Sequence, residues 1–203
     1  MAYTTLAPEE IRSAVYEEAK KQFLMHGIAK TEMKQLAQTV GLGRTTLYRY
    51  FSSIDCLAFL VIREFIEKLH DSEEQKLVEP LSGYEGVLLH YDRLIDAILT
   101  HPEVMRYCTE FDMRYALGYP DIPEAQAYLQ LLRTGYDYEV SLILKGHADG
   151  SIRPNIQPFT VLSGVGQSLF GYAQRTVAHT TPIEEKRVIM RWLAHSMLET
   201  IRT

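Results

Sequence analysis

The chain has 203 residues and a net charge of −5, with 46% hydrophobic and 23% charged residues. That balance suits one or two compact domains and excludes wholesale disorder, a collagen-like repeat and a disulfide scaffold. The charge is uneven: residues 1–53 carry seven Lys/Arg against five Asp/Glu, a net +2, and residues 54–203 carry fourteen against twenty-one, a net −7. Cys56 and Cys108 lack CxxC spacing. With no leader or long apolar window expected, a reducing cytoplasm and no membrane partner are the expectation.

Helical periodicity runs through almost the whole chain. Val15, Ala19 and Phe23 form an i, i+4 ladder that predicts a first helix over 8–26, opened near Pro8 and stopped at Gly27. Thr31 is read as the N-cap of a short second helix reaching Val40, and Gly41 ends it. A third short helix is expected over 44–50, followed by a turn at Phe51-Ser52-Ser53. A long fourth helix carries Leu57, Val61, Phe65 and Leu69 on one stripe, and Pro80 breaks the chain after it. The fifth helix carries Val87, Tyr91, Leu94 and Ile98, and His101-Pro102 separates it from a sixth. After the Gly118–Pro123 connection, one helix is expected over 124–148, with Tyr136 and Leu144 among its inward residues. Two more follow, over 159–178 and 183–202. The class is all-α, with about nine helices: an N-terminal helix-turn-helix domain over 1–53 and a helical body over 54–203.

The segment 31–51 has the parts that major-groove reading requires: two short helices, a turn at Gly41, and a second helix bearing Arg44, Thr45, Thr46, Tyr48 and Arg49. Between Lys20 and Tyr50 six basic residues stand against one acid, Glu32, so a locally basic face exists on an acidic chain. The run Val15, Ala19, Phe23, Gly27, Thr31, Leu36-Ala37, Gly41, Thr46-Leu47-Tyr48, Tyr50-Phe51 and Leu57 resembles the DNA-binding domain of the TetR family of bacterial regulators. The resemblance implies a homodimeric, ligand-responsive repressor that places its third helix in a palindromic double-stranded operator. Carried over by position, Arg44, Thr45 and Thr46 would read bases, Tyr48 and Arg49 would make phosphate or mixed contacts, and Thr31 would meet phosphate. Three positions depart from the family pattern. Ile54 stands for the usual lysine, Glu32 for a common threonine, and Gly43 for the Ser/Thr cap of the recognition helix. These departures leave an alternative, a TetR-like interaction protein regulating through a protein partner without its own operator.

Residues 84–138 are rich in tyrosine, and Tyr107, Phe111 and Tyr115 fall at i, i+4, i+8. Rings with polar tips suit a semi-apolar cavity, so these three and Tyr136 are candidates for contacting a small, partly apolar effector, core packing being the plainer use of each. Near the chain end, Leu169, Phe170, Ile189, Trp192, Leu193 and Met197 make two apolar helices whose simplest use is a two-fold dimer face. No HExxH pair, GxSxG elbow or phosphate-cradling glycine loop occurs. The expectation is no metal, no cofactor and no enzymatic activity.

Overall fold

The computed structural model describes residues 7–74, 82–134 and 136–203, and among them the regular elements are helices. They are α1 Pro8–His26, a 3-10 turn Ile28–Lys30, α2 Met33–Thr39, α3 Arg44–Tyr50, α4 Ile54–Glu74, α5 Gly83–Thr100, α6 Pro102–Arg114, α7 Pro123–Thr134, α8 Asp137–Asp149, α9 Pro158–Thr176 and α10 Ile183–Glu199. The break expected at Pro80 lies outside the described residues. No described helix is long and apolar enough to cross a membrane. The chain divides into two compact units, Met1–Phe65 with Arg106–Gln130, and Ile66–Met105 with Leu131–Thr203.

In the first unit α1 packs on α2 and α2 on α3. Val15, Ala19 and Phe23 are buried with Leu36, Ala37, Leu47, Phe51 and Leu57, so the apolar ladder of α1 supplies one wall of this core. Glu10 accepts the Ala7 N–H at 2.8 Å and closes the start of α1. Gly27 ends it with φ +89, where only glycine is unstrained. A Cβ there would also lie 2.7 Å from a Glu110 carboxylate oxygen. Thr31 falls just before the cap position it was expected to fill: Glu32 is the N-cap of α2 and makes no side-chain cap. The short helices turn at Gly41, φ +65, where the Leu42 N–H reaches the Ala37 carbonyl at 2.8 Å.

The single helix expected over 124–148 is two helices, with a break before Asp137. Tyr136 takes a non-helical backbone there, and Asp137 and Glu139 fall in the new first turn, where the helix dipole favours acids. On α8 Leu144 is 52% exposed, not inward as expected. In the second unit α5 packs on α8 and α10, and α9 on α8 and α10. The start of α5 is pressed against α8: a Cβ on Gly83 would meet the Gly146 nitrogen at 2.1 Å. Its free N–H groups are capped from the far end of α8. Asp149 accepts from Gly83 N–H at 2.8 Å, and Ser151 Oγ from Tyr84 N–H at 3.1 Å.

Asp149 also accepts the Ser151 N–H at 2.9 Å. The Ser151 hydroxyl, then the Gly83 and Ser151 backbone donors, hold its carboxyl below the ordinary value of 3.8. A group so depressed stabilises the folded state fully above the ordinary carboxylate value, and that contribution is lost as pH falls through its lowered folded value. In denaturant titrations between pH 7 and pH 3, Asp149→Asn is therefore less stable than wild type at pH 7. The gap between the two narrows at the acid end.

A candidate nucleic-acid interface and the core behind it

The exposed side of α3 carries Arg44, Thr45, Tyr48 and Arg49, with Thr46 half-buried and Leu47 turned into the core. Four of the five residues expected to face the groove thus stand clear of the protein together. Gly43 caps α3 without a side chain, in an ordinary extended backbone at φ −66. A Cβ there would meet only Thr46 Oγ1, at 3.8 Å, so neither crowding nor conformation demands the glycine.

Thr31 is placed differently. It is 5% exposed, and its hydroxyl donates to the Gly27 carbonyl at 3.0 Å, tying the 3-10 turn to the end of α1. The basic face is also smaller than the composition indicates. Lys20 is held by Glu64 at 2.8 Å, and Tyr16 donates to the same carboxylate. Arg12 lies over the Phe51 ring at 4.9 Å and bonds the Tyr50 carbonyl. Lys21, Lys30, Lys34, Arg44 and Arg49 remain exposed. Lys34, which no motif singles out, is presented by α2.

Behind this surface, the N-terminal half of α4 meets the C-terminal half of α6. Ser53 Oγ accepts the Cys56 N–H at 3.2 Å and opens α4. In its first turn Asp55 receives Arg114 Nε at 3.1 Å, Arg114 Nη2 at 2.9 Å and the Tyr115 hydroxyl at 2.7 Å. Burial, with the Asp55 carboxylate beside it, drives the Tyr115 hydroxyl well above its ordinary value. Tyr107 donates to the Ala58 carbonyl at 2.8 Å. Glu110 accepts the Ala29 N–H at 2.9 Å, joining α6 to the turn that enters α2. Phe59 is the hub of a ring cluster: Phe111 stands 4.9 Å away, Tyr115 4.8 Å, Tyr119 5.5 Å and Tyr128 5.8 Å between centroids. The sequence offers no spacing signal for Asp55, Glu110 or Arg114, because their partners lie 59 to 81 residues away.

Tyr107, Phe111 and Tyr115 therefore come together as core rings, with both tyrosine hydroxyls occupied. Tyr136 belongs to the second unit, half-buried at the N-cap of α8, where burial and then Glu139 raise its hydroxyl above the ordinary value. Burial, then the Glu124 carboxylate, pushes the Cys56 thiol up to about 12. Burial, then Asp112, does the same for Cys108. Both stay protonated and unreactive at neutral pH.

Of the residues expected to form a dimer face, Leu169 is fully buried within its own chain and serves its core. Phe170, Ile189, Leu193 and Met197 are half-buried, and Trp192 is 67% exposed beside Val188, one turn before it, also at 67%. On α9, Phe159, Ser163, Gly166 and Phe170 follow one face at helical spacing, with open space around Gly166.

Residues 15–60 match the family model described as bacterial regulatory proteins, tetR family. Over 156 residues the chain is 24% identical to the HTH-type transcriptional repressor KstR2 of Mycolicibacterium smegmatis, spanning 75% of this chain and 73% of that protein. Its fold resembles the ketosteroid transcriptional regulator KstR2 of Mycobacterium tuberculosis, with a TM-score of 0.63 at 16% identity over 100% of this chain and 98% of that one. It also resembles the fatty acid degradation regulator FadR from Bacillus halodurans, with a TM-score of 0.68 at 12% identity over 94% and 99%. The two short helices α2 and α3 and the turn between them lie inside the matched segment.

Proposed function

We propose that this TetR-family transcriptional regulator is a homodimeric repressor that reads a palindromic operator through α3 and is released by a small, partly apolar effector. The observation that carries the reading is the outward row Arg44, Thr45, Tyr48 and Arg49, set on a buried scaffold within the matched segment. Repression is supported by the sequence likeness to a relative named a transcriptional repressor. We assign residues 1–53 to the reading head and 54–203 to effector binding and dimerisation. Action in the cytoplasm, without enzymatic activity of its own, belongs to the same reading.

In this reading Arg44, Thr45 and Thr46 meet base edges and Arg49 meets phosphate, while Thr31 orders the turn before α2. The effector acts by disturbing the ring cluster of Tyr107, Phe111 and Tyr115. Those rings carry the hydroxyls that hold Ala58 and Asp55 of α4, so moving them shifts the start of α4 immediately after the reading head. A palindrome requires a fixed separation of two recognition helices, and a small displacement is enough to remove specific binding. The effector moves the equilibrium only by its differential affinity for the two states.

Dimerisation is supported by the exposed apolar residues Val188 and Trp192 of α10 and by the open face of α9. Because Trp192 is the chain's one tryptophan, its fluorescence reports the interface directly. Light scattering is expected to give about twice the 23.3 kDa chain mass for wild type. Trp192→Glu moves it toward the single-chain mass. A wild-type mass of one chain at micromolar concentration contradicts the dimer.

Selection from a randomised duplex library near physiological salt tests the reading as a whole. An enriched inverted repeat is the expected result. No enrichment, from protein refolded to remove any bound ligand, overturns it in favour of regulation through a protein partner, the use to which Glu32, Gly43 and Ile54 would then belong.

A further inference from the structure

The two arginines of α3 are held differently, and the difference assigns them different work. Arg44 opens α3, and its guanidinium lies over the Tyr48 ring with Cζ 5.6 Å from the centroid. The two are i, i+4, so the contact lies along one face of the helix. Among the described residues, Arg44 has neither a salt bridge nor a hydrogen bond, so its guanidinium sits over the ring while its N–H donors stay free. Tyr48 is 41% exposed, and among the described residues its hydroxyl makes no hydrogen bond. Arg49, on the same helix, has no ring beneath it among the described residues. The remaining ring-associated cations of the first unit, Arg12, Lys20 and Arg114, also make hydrogen bonds to the protein.

We propose that Tyr48 is a positioning residue for base readout: its ring holds the Arg44 guanidinium in one orientation at the start of α3, so that its fork meets a guanine in each operator half-site. This rests on the operator-binding reading above. An arginine fork matches the O6 and N7 acceptors of guanine in the major groove, and the first residues of a recognition helix are those that reach base edges. A free arginine side chain loses much rotamer freedom when it docks, and a stacked one has already lost part of it. Tyr48 thus sharpens sequence preference at one position. Arg49, without such a support, suits a phosphate, which accepts a charge from many directions.

The duplex selection separates this role from a hydroxyl–phosphate contact by Tyr48. Wild type, Arg44→Ala, Tyr48→Leu, Tyr48→Phe and the Arg44→Ala/Tyr48→Leu double variant are each profiled, with preference measured relative to each protein's own binding to random duplex. Arg44→Ala identifies the guanine position. Tyr48→Leu is expected to lower preference there by about two- to fivefold. Tyr48→Phe, which keeps the ring, retains it, and Tyr48→Leu adds nothing in the Arg44→Ala background. Side-chain NMR of the free protein gives a second, DNA-independent reading: the Arg44 methylene protons carry an upfield ring shift that Tyr48→Leu removes and Tyr48→Phe keeps. The proposal is overturned if Tyr48→Phe loses as much preference as Tyr48→Leu, if Tyr48→Leu leaves the guanine preference intact, or if the ring shift is absent. A wild-type protein that enriches no repeat refutes the operator reading itself, and this assignment with it.

Discussion

In the proposed reading, placement of α3 depends on the grip of Arg114 and Tyr115 on Asp55. One carboxylate in the first turn of α4 takes two guanidinium N–H groups and a phenol hydroxyl from the end of α6. Asp55 also lies where the dipole of α4 favours an anion. Its side chain and that of Arg114 are about one-third exposed, so the ion pair alone contributes no more than about 1 kcal/mol. The larger stabilisation comes from the rings beneath it, because Phe59 and Phe111 are fully buried and Tyr115 nearly so. The arrangement is a firm apolar core with a weak polar contact at its edge, and in the proposed reading an effector with a few kcal/mol of differential affinity is enough to shift it.

One face of α6 makes several polar contacts at this join. Tyr107, Glu110, Arg114 and Tyr115 reach Ala58, Ala29 and Asp55 in turn, so α6 touches both the start of α4 and the turn that enters α2. These contacts lie within the first unit, which also holds α3. Lys20 is committed to Glu64, whereas Arg12 stays exposed beside the Phe51 ring, and the other exposed cations of residues 7–50 belong to α1, the 3-10 turn, α2 and α3.

Much of this was legible in the sequence, for local reasons. The Val15, Ala19, Phe23 ladder and the stops at Gly27 and Gly41 define α1 and the turn between α2 and α3, because spacing and backbone freedom are properties of neighbouring residues. The outward row on α3 follows from the same periodicity. What periodicity cannot state is which ring faces a neighbour: Tyr107, Phe111 and Tyr115 form a stripe, yet only partners 49 to 60 residues away reveal that the two tyrosine hydroxyls are already occupied. Thr31 has the chemistry of a cap, but its hydroxyl turns back to Gly27, and the cap position passes to Glu32. The break before α8 is marked by glycine and then acids, signals that an uninterrupted apolar pattern through 124–148 masks. Leu169 and Trp192 look alike as apolar residues of terminal helices, and only their burial separates a core residue from an exposed one.

The central claim, that the α6 grip on α4 governs the reading head, is tested most directly with Asp55→Asn. The measurement is the ratio of operator to random-duplex affinity for this variant and for wild type, at one salt concentration, with thermal unfolding recorded alongside. The account predicts a folded variant whose operator preference falls while its random-duplex affinity is unchanged, because the recognition surface is intact and only its placement is altered. An unchanged ratio in a folded variant would contradict the claim and confine α6 to a purely structural role.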